Sequence, residues 1–290
     1  MTRKRLIAAA QVILSAVILW LLFRHMDPAM LLHSFSRLTL PTLLVLLLTA
    51  LLKFLLDYLN WYWYLRLDPT FRPRHWDALR SHTIGMALRF TIPGGHGAWG
   101  KMFFVQNSKA MTAISVGVER FLLTWSNALF GVLAGVFFFT GVALWVRLAV
   151  LGGTLVLPWA AWLVWRAWKH QSELPGRYLV LLPRVVLTRG LFMLITVLQY
   201  WLLLRSIAPL PVAQCLVAVP LILFANAIPI TYSGLGLREG FAMQVLGSMG
   251  VSPEAAVTTS LTVFLVNTVL PALPGALLIA LHRPKKAEKD

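Results

Sequence analysis

Ile228-Pro-Ile-Thr-Tyr-Ser-Gly-Leu-Gly-Leu-Arg-Glu-Gly240 is a helix-breaking stretch set in strongly apolar sequence. It holds Pro229, the glycines Gly234 and Gly236, several hydroxyl side chains and the adjacent residues Arg238 and Glu239. Proline and glycine interrupt helices. Hydrocarbon cannot satisfy an interrupted backbone, so such a break persists only where protein or water lines it. An earlier stretch, Ile92-Pro-Gly-Gly-His-Gly-Ala-Trp-Gly-Lys101, has the same form. In both, Ile-Pro opens the motif, a glycine follows at the same remove from the proline (Gly100, Gly236), and a basic residue comes just after it (Lys101, Arg238). Interrupted apolar segments at corresponding places in two halves of a chain point to a transporter-type site near the middle of a membrane.

Composition sets the class. The chain has 290 residues, of which 59% are hydrophobic and only 12% charged. So little charge excludes an ordinary soluble domain and makes this an integral membrane protein, with one membrane domain, 1–290, and no soluble domain beside it. A net charge of +16 would fit nucleic-acid binding in a soluble chain. Membrane proteins instead gather Lys and Arg in cytoplasmic loops that face anionic lipid, so no nucleic-acid partner is expected. The single cysteine, Cys215, rules out a disulfide within the chain. The apolar run 6–23 follows a basic N-terminus and lacks a small-residue cleavage site, so it reads as an uncleaved first span.

Hydropathy and breakers predict an all-α, polytopic bundle of about six spans, at 6–23, 41–61, 112–140, 142–166, 185–204 and 255–281. Two short interrupted segments, 78–109 and 212–249, read as re-entrant helical hairpins. Basic residues concentrate in 66–109, 166–189 and the two ends of the chain. That bias places the N- and C-termini in the cytoplasm of a cell (inner) membrane, multi-pass. The order span, span, hairpin, span then occurs twice, over 1–140 and 141–290, with opposite starting sides. This is an inverted repeat.

Ionisable groups at membrane depth cost at least ~2.5–3.5 kcal/mol each and usually face a partner or a cavity. Lys53 and Asp57, one helical turn apart, share a face and can pair. Glu119 and Arg120 open the third span, and Glu119 is placed to reach across to Arg238. Helix N-termini at the breaks carry partial positive charge and free N–H groups, which suit a lipid phosphate. His96, between glycines, reads as a headgroup contact or as loop polarity. Asn127, Gln199, Asn226 and Asn267 read as interhelical hydrogen-bonding groups, with Asn226 nearest a cavity because it precedes the break.

The chain lacks an HExxH helix, a P-loop, a GxSxG elbow and clustered Cys/His ligands. No catalytic residue, metal ligand or cofactor is therefore assigned. At the two breaks the chain resembles the transmembrane domain of the lysylphosphatidylglycerol synthase/flippase family. Pro229, Gly234, Gly236, Arg238 and Glu239 match the family's P-x4-G-x-G-x-R-E pattern. Pro93, Gly97 and Lys101 match an earlier P-x-R-x-G-E-x-x-R pattern, which departs at Gly95 and Ala98. The resemblance implies a protein that binds or moves amphiphilic lipid and, without the soluble aminoacyl-transfer domain, does not itself make lysyl-lipid. The expectation is a flippase-like transporter of a phosphate-containing lipid. The alternative is a non-catalytic membrane partner that presents lipid to a separate glycosyl- or aminoacyl-transferase. The lipid-site residues on either reading are Lys53, Asp57, Pro93, His96, Gly97, Lys101, Glu119, Arg120, Asn226, Pro229, Gly234, Gly236, Arg238 and Glu239.

Overall fold

The computed structural model describes residues 36, 39–89, 93–168, 173–228 and 234–281. The first expected span, 6–23, lies outside the described residues, as does Pro229. Among the described residues the chain is all helix, without strands. The helices are α1 (Leu40–Leu65), α2 (His75–Leu88), α3 (Lys109–Phe138), α4 (Leu144–Trp168), α5 (Leu174–Ile207), α6 (Val212–Phe224), α7 (Leu237–Gly247), α8 (Pro253–Phe264) and α9 (Leu270–Leu281). A 3₁₀ segment, Pro93–Phe104, follows α2, and a π-helical turn, Leu265–Val269, joins α8 to α9. Among the described residues, five helices are long and apolar enough to cross a membrane: α1, α3, α4, α5 and the continuous stretch Pro253–Leu281. The protein is thus a multi-pass membrane protein.

Helix ends follow local chemistry. Thr39 caps α1 by accepting from the Thr42 N–H, and Pro41 fits the first turn, where no N–H is needed. Ser108 and Ser252 cap α3 and α8 in the same way. The structure starts α5 well before the expected span, because Arg177, Pro183 and Arg184, expected in a loop, are helical. A helix can continue past the hydrocarbon into the polar layer, so basic residues do not mark where it ends.

The bundle is built inside out relative to a soluble one. On α1 the inward stripe includes Ala50, Lys53, Leu56, Asn60 and Tyr64, while Leu44, Leu48, Leu51 and Leu52 face outward. On α8 the buried side chains include Thr258, Thr259, Ser260 and Thr262. Hydrocarbon accepts the leucines at no cost, so polar groups turn inward, where other helices supply hydrogen bonds.

Two apolar cores lie toward opposite ends of the long helices. One gathers the C-terminal part of α1 (Trp61, Tyr64, Leu65), Ala78, Val105, the first half of α3 and the N-terminal part of α5 (Tyr178, Leu181, Val185). The other gathers Leu46 near the start of α1, Ala134 near the end of α3, the C-terminal part of α5, Leu210, most of α6, and Val251. The interrupted segments fold back on themselves, with α2 against the 3₁₀ segment and α6 against α7. Each also packs on a span from the other half of the chain, α2 on α9 and α6 on α3.

Glycine allows both of those crossings. A Cβ at Gly275 of α9 would overlap the Thr83 carbonyl of α2, and one at Gly131 of α3 would stand 2.7 Å from Cβ of Phe224 at the end of α6. Gly275→Ala and Gly131→Ala should therefore each lower stability by about 1–3 kcal/mol, the usual cost of overpacking. Gly152 of α4 has open space around it, so Gly152→Ala should leave the thermal midpoint unchanged or slightly raised. Melting of the detergent-solubilised variants, followed by tryptophan fluorescence, checks all three.

Candidate functional site

The second break is closed by its own acidic residue. Gly234 and Gly236 have φ of 79° and 83°, a left-handed backbone that glycine alone adopts without strain. Gly234 has a second constraint, because a Cβ there would stand 2.7 Å from Oδ1 of Asn226. These turns aim the start of α7 so that the Gly236 N–H donates to Glu239 Oε2 at 2.7 Å. The other carboxylate oxygen accepts from Arg238 Nη2 at 2.5 Å, Arg238 Nε at 3.1 Å and Ser260 Oγ at 3.0 Å. Glu239 is fully buried, and its charge sits in the first helical turn, where the helix dipole favours an anion. The Arg238 guanidinium also stacks 4.6 Å from the Phe264 ring centre. Adjacent side chains on a helix diverge, yet Arg238 and Glu239 pair because Arg238 folds back along the turn.

The first break is held differently. Lys101 forms an ion pair with Glu119 of α3, and its ammonium lies 3.5 Å from the Trp61 ring centre. A Cβ at Gly85 would stand 2.9 Å from Lys101 Cδ, so α2 leaves just enough room for the lysine stem. Glu119 therefore meets Lys101, and not Arg238 as its position in sequence made conceivable. Gly97 is buried; Pro93 and His96 lie in the first part of the 3₁₀ segment.

The Lys53–Asp57 pair that their shared face allows does not form. Lys53 Nζ donates to Thr196 Oγ1 at 2.8 Å and Gln199 Oε1 at 3.4 Å, both on α5, and lies 4.1 Å from the Phe192 ring centre. Asp57 instead accepts from Arg189 Nη1 at 2.7 Å. Both α1 groups thus reach across to α5, where complementary partners replace an intrahelical contact. Gln199 extends the seam to Asn267 in the π-helical turn through two amide hydrogen bonds, at 2.7 and 3.1 Å, and to Thr49 at 2.9 Å.

Between the two breaks lies a cavity of about 410 Å³. Lys53, Asp57, Arg189 and Thr196 line it from α1 and α5. Met86, Arg89, Trp99, Arg120 and Asn127 line it from the first interrupted segment and α3. Asn226, Gly234, Arg238, Phe264 and Asn267 line it from the second break and the last span. Of the residues singled out from sequence, Lys53, Asp57, Arg120, Asn226, Gly234 and Arg238 therefore meet on one wall or another. Gly97, Lys101, Glu119, Gly236 and Glu239 sit behind the walls as structural support. Arg89, Arg189 and Trp99 were missed. Arg189 carried a usable signal, since Arg189, Phe192, Thr196 and Gln199 recur at helical spacing on the inward face of α5.

Electrostatically the cavity is one-sided. Among the described residues, five cations line it (Lys53, Arg89, Arg120, Arg189, Arg238) and one carboxylate, Asp57. Arg189 is neutralised by Asp57 and Arg238 by Glu239. Among the described residues, no carboxylate lies within ion-pair distance of Lys53, Arg89 or Arg120. Arg89 and Arg120 are near enough to repel one another.

Fold and site together define a polytopic α-helical membrane protein with a cationic chamber between two interrupted segments. The family model described as "Lysylphosphatidylglycerol synthase TM region" matches residues 8–275, and the chain belongs to that family. No curated protein and no solved structure gives a significant match.

The Lys101–Glu119 pair makes a direct prediction. Glu119→Gln strands a buried ammonium and should cost about 3–5 kcal/mol. Adding Lys101→Met removes the stranded charge and should restore most of the loss. A double-mutant cycle of thermal melts measures the difference.

Proposed function

We propose that this protein is a flippase-like membrane transporter that binds the phosphate-bearing head of an amphiphilic lipid between its two interrupted segments and carries it across the bilayer. The observation that carries this reading is the unbalanced chamber. Lys53, Arg89 and Arg120 face a cavity within an apolar bundle and have no carboxylate within ion-pair distance among the described residues. Uncompensated charge in such a place is expensive, and an anionic headgroup compensates it. The cavity volume is at the low end of the ~300–1,000 Å³ usual for small-ligand sites, enough for a headgroup while the chains stay in the bilayer.

On this proposal the two interrupted segments are re-entrant hairpins, and the halves 1–140 and 141–290 form an inverted repeat around the chamber. The packing supports it. The ends of the first hairpin, Ala78 and Val105, belong to one apolar core, and the ends of the second, Leu210 and Val251, to the core at the other end of the bundle. The crossings of α2 with α9 and of α6 with α3 correspond under exchange of the halves, and each depends on a glycine. The basic residue of each returning limb also bonds to the last span of its own half, Lys101 to Glu119 and Arg238 to Ser260. Alternating access around a central site is the usual use of such an arrangement. Arg66, Arg72, Arg74 and Arg177 cluster toward the first core's end, and Arg177 Nη1 donates to the Arg66 carbonyl at 3.4 Å. That end is assigned to the cytoplasm of a cell (inner) membrane, with both termini on the same side.

Reconstitution in vesicles tests the function. Protein-containing vesicles should move a fluorescent anionic phospholipid between leaflets, read by dithionite quenching. Lys53→Met and Arg120→Gln remove cations without stranding a carboxylate, and each should slow movement about tenfold or more, the effect of one lost charge-assisted contact. Arg238→Ala should slow it as well and also lower the melting temperature, because Glu239 is left buried without its guanidinium. Arg205, exposed at the end of α5, is the control, and Arg205→Ala should change nothing. Lipid binding without movement would favour the other role, a membrane partner that presents lipid to a separate transferase.

A further inference from the structure

Resting on the headgroup reading above, we infer that the chamber selects a lipid whose phosphate head carries at least two negative charges, a phosphomonoester or a diphosphate, over a singly charged phosphodiester. The argument counts charges and donors. Two of the three cations without a carboxylate, Arg89 and Arg120, are guanidiniums, which stay charged in proteins. They stand close enough to repel each other, and the ammonium of Lys53 adds to them from the α1 side, where its hydrogen-bond acceptors are neutral. A single negative charge leaves at least one guanidinium unbalanced, whereas a dianion balances both.

The donors lead to the same class. Arg89 Nε, Arg120 Nε and Arg120 Nη2 are buried and find no acceptor among the described residues, and both residues line the cavity. Unmet buried donors are costly, and those on a guanidinium match phosphate oxygens in geometry. A phosphodiester offers two unbridged oxygens on one phosphorus. A phosphomonoester offers three, at a charge of about −1.5 to −2 near neutral pH, and a diphosphate offers more, spread over a longer group. The cations are themselves spread over two walls, Lys53 on α1 and the guanidiniums of Arg89 and Arg120 beside the first break, and an extended head engages both.

Binding to the purified protein in neutral detergent tests the inference, read by native mass spectrometry at equal lipid concentrations. The probes are phosphatidic acid, phosphatidylglycerol with the same chains, and a long-chain isoprenyl diphosphate. Phosphatidic acid and the diphosphate should each bind about tenfold or more tightly than phosphatidylglycerol, the equivalent of one charge-assisted hydrogen bond. Arg120→Gln on one wall and Lys53→Met on the other should each reduce that preference about tenfold. A variant that does not fold is recognised by its melt, and the other then decides. Equal binding of phosphatidylglycerol and phosphatidic acid would overturn the charge selection and leave the headgroup site standing. Failure of all three lipids to bind would overturn the headgroup reading itself. Inorganic pyrophosphate that displaces the isoprenyl diphosphate at equal concentration would overturn the assignment to lipid, because the chains would then add nothing.

Discussion

A carboxylate that closes a broken helix inside an apolar bundle is the contact on which the second half of this structure depends. Glu239 receives the otherwise stranded Gly236 N–H on one oxygen and Arg238 and Ser260 on the other. Without that group, α7 would begin with unmet donors in a place where water is scarce, and the penalty would fall on the whole segment. The Gly-x-Gly-x-Arg-Glu run can therefore be understood without reference to ligand. The glycines supply the left-handed turns, the glutamate caps, and the arginine neutralises the cap while keeping one face toward the chamber. Structure and site are joined in the same few residues.

The first half solves the same problem with different chemistry. Its returning limb is a 3₁₀ segment, and its basic residue crosses to Glu119 on the neighbouring span. The pair, with the Trp61 ring beneath it, pins the limb to α3. Glu119 and Glu239 are both absorbed by local neutralisation, which leaves Asp57 as the one acid on the cavity wall among the described residues. The positive excess of the chamber is thus a consequence of how the breaks are stabilised: their acids are used behind the walls, and the surplus cations face inward.

Much of this was legible in the sequence, and the remainder failed for identifiable reasons. The two breaks and the spans around them were visible because proline and glycine are so conspicuous in apolar sequence. Lys53, Asp57, Asn226 and Arg238 were found because polar groups at membrane depth need an explanation. Pairing was not legible. Lys53 and Asp57 share a face of α1, but the choice between each other and α5 depended on Thr196, Gln199 and Arg189, distant in sequence. Arg89 and Arg189 fell within an expected short helix and an expected span, but were counted only among the basic residues that set topology. A charge count treats every arginine near a span end alike, whereas burial depends on which way the helix turns and how far it continues.

The early start of α5 has a mechanical meaning. At 34 residues and a rise of ~1.5 Å each, the helix is about 51 Å long, against a hydrocarbon layer of about 30 Å. A rod of that length must lean or protrude. One end carries the exposed Arg177, while Arg189, Phe192 and Thr196 lie further along the same shaft on the chamber wall. A lean of this shaft would shift those three residues together, with Pro183 standing between them and Arg177.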